Sequence, residues 1–177
     1  MASTINSTTS SGVVVTPDNT GNLALQSGGT TIMTVTSTGV TTQVGAPAFS
    51  AWAQGVQSLS ASTFTKIACN TIEYDTNSNY NNTTYRFTPT VAGYYQFNVG
   101  IEPFSSSCRI INAIYKNGSV FKYLSDIPSS NYGGGSVVIY ANGSTDYFEF
   151  YAYFSTAQNI NNAQNATWFQ ATFVRSA

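Results

Sequence analysis

The sequence predicts an all-β fold, and three observations carry that reading. Residues that suit a pleated, half-buried surface dominate the 177: aromatics make up 14%, and Thr and Val are abundant. Turn signals recur at short, regular intervals, and no segment shows a helical period. Finally, Tyr85–Gly100, Y-R-F-T-P-T-V-A-G-Y-Y-Q-F-N-V-G, reads as a strand, a tight corner and a second strand. Tyr85 and Phe87 share one face before the corner. Tyr95, Phe97 and Val99 share one after it, with Tyr94, Gln96 and Asn98 pointing the other way. Pro89 cannot donate to a ladder and ends the first strand, while Gly93 frees the backbone to start the second. Regular short strands with turns between them mean a sandwich or a barrel.

Taken in order, Met1–Val44 stands apart, with Asp18 as its only charge. Leu23 and Leu25 precede Gly28-Gly29, a hairpin signal; Ile32 and Val35 follow, and Gly39 makes a second turn before Val40. Large apolar residues are too few here for a core. The segment either lies along the main domain or winds with other copies, burying Leu23, Leu25 and Ile32 between them; so uncharged a β-rich arm suits a fibrous trimeric stalk. Gly45-Ala46-Pro47 is a natural boundary. It separates an arm, residues 1–45, from a head domain, residues 46–177. In the head, strands are expected at Phe49–Ala53 and Phe64–Glu73, then in the central pair, then at Arg109–Tyr115 and Val120–Leu124 around Asn117-Gly118. Ser136–Tyr140 follows Gly133-Gly134-Gly135, Asp146–Phe154 follows Asn142-Gly143, and Trp168–Val174 closes the chain.

Four stretches of the head resemble, in order, the C1q/tumour-necrosis-factor-like jelly roll. They are Phe87…Gly93-x-Tyr95-x-Phe97, the turn Tyr115-Lys116-Asn117-Gly118, the run from Gly134 through Phe150, and the closing Phe169-Gln170-Ala171-Thr172-Phe173-Val174. Ala92 stands where that family often has Pro, Gly143-Ser144-Thr145-Asp146 replaces its usual Gly-Asp, and Ala171 takes a common Gly position. The resemblance implies an antiparallel jelly-roll sandwich that assembles as a compact homotrimer and serves binding, not catalysis. In the arm, Asn22–Thr31 followed by Thr36-Ser-Thr-Gly-Val is similar to segments of phage fibre and appendage proteins. Together these imply a phage virion protein: a short fibre attached to capsid or tail proteins through its arm, its head binding a host-surface glycan. The alternative is a capsid decoration or cement protein.

Composition excludes several other classes. Only 7% of the residues are charged and the net charge is −1, which gives no electrostatic footprint for nucleic acid or anionic membrane. No apolar run approaches a membrane span. Met1–Gly12 lacks the basic start and apolar run of a signal peptide; joined to the phage resemblance, this implies assembly in the host cytoplasm and residence in the virion. Cys69 and Cys108 are read as unpaired strand cysteines in preference to a disulfide. The chain has no His, which removes the commonest general base and the imidazole metal ligands. Glu73 and Asp75 read as solvated carboxylates, and Asp146 and Glu149 should face opposite ways. Asp75-x-Asn77-x-Asn79 opens like an EF-hand loop but has Tyr80 at position six and Arg86 at position twelve, so it fails as one. Neither a metal nor a cofactor is assigned.

The binding residues are expected in two places. In Asp146–Phe154 the Phe148, Phe150, Ala152 and Phe154 face should fill the sandwich. The opposite face carries Tyr147, Tyr151 and Tyr153, and tyrosine suits a surface buried against a partner, so these three are assigned to the trimer interface. The loops Asp75–Asn82, Ser129–Gly135 and Gln158–Asn165 are expected to meet the glycan, with Tyr80, Asn81, Asn131 and Tyr132 as contacts.

Overall fold

The structure, a computed structural model, describes residues 21–43 and 45–177; Met1–Gly12, the rest of the first twenty residues and Val44 lie outside the described residues. The chain divides into two units at Gly45–Ala46. In the first, β1 (Leu23–Ser27), β2 (Thr30–Val35) and β3 (Thr41–Gln43) form one antiparallel sheet. Gly28 and Gly29, at φ +58° and +80°, turn the β1–β2 hairpin. Leu25 pairs with Met33 and Gln26 with Thr31, which leaves Ile32 as the extra residue of a bulge. None of the described residues of this unit is buried, and Leu25 and Ile32 are exposed.

The head contains β4 (Ala48–Trp52), β5 (Ser58–Leu59), β6 (Thr65–Lys66), β7 (Thr71–Asp75), β8 (Tyr80–Asn81), β9 (Arg86–Phe87) and β10 (Gly93–Ile101). It continues with β11 (Cys108–Lys116), β12 (Ser119–Ser130), β13 (Gly133–Ala141), β14 (Phe148–Phe154), β15 (Gln158–Asn159) and β16 (Trp168–Arg175). Two sheets face each other: β13-β10-β16-β4-β7, and β12-β11-β14-β9-β8 with β6 paired to β14. A short β15–β5 ladder closes one edge.

Strand parity decides what lies between the sheets. Along β10, Tyr95, Phe97 and Val99 are buried, and along β14, Phe148, Phe150, Ala152 and Phe154 are. Phe97 packs on Phe148 with ring centroids 4.6 Å apart. Phe49 of β4 stacks on both Tyr80 and Phe87 at 4.6 Å and meets the edge of Phe169 at 5.0 Å, so one ring touches strands of both sheets. Each such ring contributes about 1.5–3 kcal/mol by leaving water. Phe87 is buried as expected, whereas Phe173 is only half-buried against the same cluster.

Several expectations need correction. Tyr85 sits at φ +58°, and the first strand of the central pair is only Arg86–Phe87. Phe64–Glu73 is not one strand: β6 pairs with β14 and β7 with β4, on opposite sheets. The crossing buries Ile67 and Cys69, and the Ile67 amide donates to the Phe150 carbonyl at 2.9 Å. The glycine run is part of β13 itself, because a Cβ at Gly133 or Gly135 would strike Ile110 or Leu124 at 2.6 Å. β12 is also longer than Val120–Leu124, with bulges that keep it paired to β11. Both cysteines are free and buried.

Polar residues lock the turns. Asn117, at φ +54°, accepts the Tyr147 amide at 2.9 Å and donates to Asp146 at 2.8 Å. Asp146 also accepts the Asn142 amide and the Lys116 ammonium, each at 2.9 Å. Burial alone would raise the Asp146 carboxyl, but these donors outweigh it and hold the group below its ordinary value. Glu149 faces away from the core yet is buried, because Arg86 at 2.8 Å and Lys66 at 3.1 Å close over it.

Replacing Phe97, which is 0% exposed, by Ala is expected to cost the head about 3–5 kcal/mol in denaturant unfolding. A loss below roughly 1 kcal/mol would mean the ring faces out.

Candidate functional site

The outward face of the first sheet carries a groove built by strand register. Trp168 of β16 lies directly opposite Trp52 of β4, and Gln170 lies opposite Ser50 one step along the same face. On the other side of β4, Ser50 meets Tyr74, and a bulge pushes Glu73 alongside it. The segment before β16 supplies Gln164 and Asn165. Together these seven positions without Tyr74 line an open cavity of about 450 Å³.

A continuous hydrogen-bond chain forms its floor. Gln170 Nε2 donates to Ser50 Oγ at 3.0 Å, Ser50 Oγ donates to Glu73 Oε2 at 2.8 Å, and Gln164 Nε2 donates to Glu73 Oε1 at 3.1 Å. Ser50 is only 2% exposed, so the middle of the chain is fixed, while both indoles are half-buried at the rim. Trp168 leans over Gly100, its partner on β10; a Cβ there would collide with the indole and with the Tyr132 hydroxyl. Tyr132 and Trp168 thus meet above a glycine that leaves room for both. The lining holds one carboxylate, amides, a hydroxyl and two indoles, with no cation. Such a set presents flat apolar surface beside fixed donors and acceptors.

Tyr80 does not stand where the loop reading put it. It belongs to β8, is 6% exposed, stacks on Phe49 and donates its hydroxyl to the Cys69 carbonyl at 2.7 Å. Burial pushes its phenol far above the ordinary range. It is a core residue with a satisfied polar tip. Asn81 is exposed, with Oδ1 accepting the amides of Thr83 and Thr84 at 2.9 Å. Asp75 accepts the amides of Asn79 at 3.1 Å and Tyr80 at 2.7 Å, so its carboxylate shapes the loop.

The expected loop Ser129–Gly135 is a tight connection of Asn131 and Tyr132 between β12 and β13, pinned by Ser130, whose Oγ donates to the Tyr132 carbonyl at 2.7 Å. Both residues are exposed. In Gln158–Asn165, the first two residues pair with β5, and Gln158 accepts the Ser105 and Ser106 amides at 3.2 and 3.1 Å. Gln164 and Asn165 remain exposed.

Tyr147, Tyr151 and Tyr153 lie half-buried on the second sheet's outer face, each engaged with its own chain. The Arg86 guanidinium sits 4.2 Å from the centre of the Tyr147 ring. Tyr151 stacks on Tyr115 at 3.8 Å, and the Tyr153 hydroxyl bonds Ser62 at 3.2 Å. Leu23, Leu25 and Ile32 belong to the first of the two units, and these tyrosines to the second. Both tryptophans went unassigned from sequence, although each alternates with a polar residue (Ser50-x-Trp52 and Trp168-x-Gln170), the signal of an outward strand face.

No family model and no curated protein matches the chain. Solved structures do match it in fold. PRD1 vertex protein P5 aligns with a TM-score of 0.57 at 16% identity, over 73% of this chain and 97% of that one. The globular domain of zebrafish complement 1qA aligns at 0.54 and 15%, over 75% and 99%. Murine APRIL at pH 5.0 aligns at 0.55 and 9%, over 73% and 99%. The head therefore has the C1q/TNF-like jelly-roll fold.

Tyr80→Phe is expected to lower stability by about 1–3 kcal/mol, by leaving the Cys69 carbonyl unpaired. Thermal unfolding of the two proteins checks this.

Proposed function

We propose that this chain is a homotrimeric phage virion protein, a short fibre or appendage. In this reading the arm, residues 1–45, joins it to other virion proteins, and the C1q-like head, residues 46–177, binds a host-surface glycan. The observation that carries the reading is the arm's burial pattern. A sheet with almost no charge, none of whose described residues is buried, needs apolar partners from outside itself. The fold likeness to PRD1 vertex protein P5 supports a place on a virion.

Binding is favoured over catalysis by where the carboxylates point. Asp146 and Glu149 are tied to cations, and Asp75 to backbone amides, so each of these serves the fold. No helix among the described residues is long and apolar enough to cross a membrane.

Within the head, two faces compete for the contact between copies. The tyrosine row of β14 already packs on its own chain. Tyr94, Val138, Tyr140 and Val174 cluster at one end of the first sheet and are 39–53% exposed, with Arg175 as the charge beside them. That end of the sheet fits a subunit contact better than the tyrosine row does.

Light scattering tests the proposal. The full chain should run at the mass of a trimer, with residues 46–177 associating more weakly. Val138→Asp should lower the mass and Tyr151→Asp should not. A monomeric full chain would sink the trimer, and the reverse order of the two variants would return the contact to β14.

A further inference from the structure

We propose that the groove beside the Trp52–Trp168 pair binds a neutral saccharide, an assignment that deepens the glycan-binding reading of the head and rests on it. A pyranose ring offers apolar C–H faces and a rim of hydroxyls that both donate and accept. The groove supplies the complement of each. Two indoles, opposite one another in the β16–β4 register, give a flat apolar surface at one end. Beside them, along the same face, lie Gln170, Ser50, Glu73 and Gln164, linked at 2.8–3.1 Å into a floor of alternating donors and acceptors.

That floor is built before any ligand arrives. Ser50 is buried and both Glu73 oxygens are oriented, one by Ser50 and one by Gln164. Each oxygen uses one bond here, whereas a carboxylate can accept about four, so capacity remains for hydroxyl donors. Fixed polar groups of this kind bind without the entropy cost of ordering them. At about 450 Å³ the cavity falls within the roughly 300–1,000 Å³ of small-ligand clefts.

The same residues reject other ligand classes. The lining has no Lys or Arg and includes a carboxylate, so an anionic sugar would meet repulsion with no compensating cation. One carboxylate among neutral amides is a poor set for a divalent cation, which takes six to eight oxygen ligands when it is calcium. A purely apolar ligand would bury the Ser50–Glu73 chain without satisfying it.

The chain has two tryptophans, and both line this groove, so tryptophan emission, excited at the red edge where tyrosine does not absorb, reports on it selectively. The experiment uses the full-length protein in its native assembly. Maltotriose and N,N′-diacetylchitobiose are titrated as neutral probes, with sialyllactose as the anionic one. A neutral probe is expected to shift the emission and to protect it from acrylamide; sialyllactose should do neither. Gln164→Ala, at an exposed position, and Glu73→Gln should each weaken the response about tenfold with thermal unfolding little changed, as suits hydrogen bonds to a charged group. A parallel glycan array separates the two claims. Array binding that survives both variants would overturn the groove and leave the glycan-binding head standing. An array with no glycan bound would overturn both, and one that binds anionic glycans alone would overturn the groove assignment only. Tryptophans already shielded from acrylamide before sugar is added would show that another copy covers the groove, and would also overturn the assignment.

Discussion

Aromatic packing between the two sheets is the interaction on which the rest of the head depends. A chain with 7% charged residues has few ion pairs to draw on, and among its described residues there is no helix to cover either sheet. What holds the sheets together is ring against ring. Phe49 joins β4 to β8, β9 and β16 through Tyr80, Phe87 and Phe169, and Phe97 joins β10 to β14 through Phe148. Each ring removes a large area from water and adds an edge-to-face or offset contact. With that layer fixed, the outward residues are free to be amides, hydroxyls and indoles. The first sheet can then carry function on its solvent face without weakening the core.

The few charges that exist are placed where a turn or a buried edge needs them. Asp146 gathers Lys116, Asn117 and the Asn142 amide at one end of the sandwich. Glu149 is covered by Lys66 and Arg86 from β6 and β9, which fixes two short strands to the long β14. Breaking one partner of such a buried pair strands the other, so these pairs hold strand order more than they add stability. The outer face of the first sheet divides along its strands. Tyr94, Tyr140 and Val174 occupy one end; Trp52 and Trp168 occupy the other, with Ser50 and Gln170 beside them.

Much of this was legible in the residues. The alternation in Tyr94–Val99 and Phe148–Phe154 named the buried side of the two central strands, because a period of two leaves only one consistent face. Asn117-Gly118 marked its hairpin for the same local reason. Long-range geometry was not legible. Phe64–Glu73 looks like one strand until Ile67 and Cys69 are seen crossing the core. Gly133–Gly135 looks like a loop until Leu124 and Ile110 are seen pressing on it. Tyr80 reads as a loop aromatic, yet the stack with Phe49 turns it inward. The groove draws Trp52, Glu73, Gln164 and Trp168 from distant parts of the chain, and only the β16–β4–β7 register brings them together.

Native-state hydrogen exchange tests most directly whether the aromatic layer makes the two sheets one cooperative unit. The account predicts that amides of β10 and β16 in the first sheet share a single slowest class with those of β11 and β14 in the second, set by global unfolding. Full exchange of one sheet while the other stays protected would contradict it, because the sheets would then be stable apart and the rings between them would not be what holds the fold.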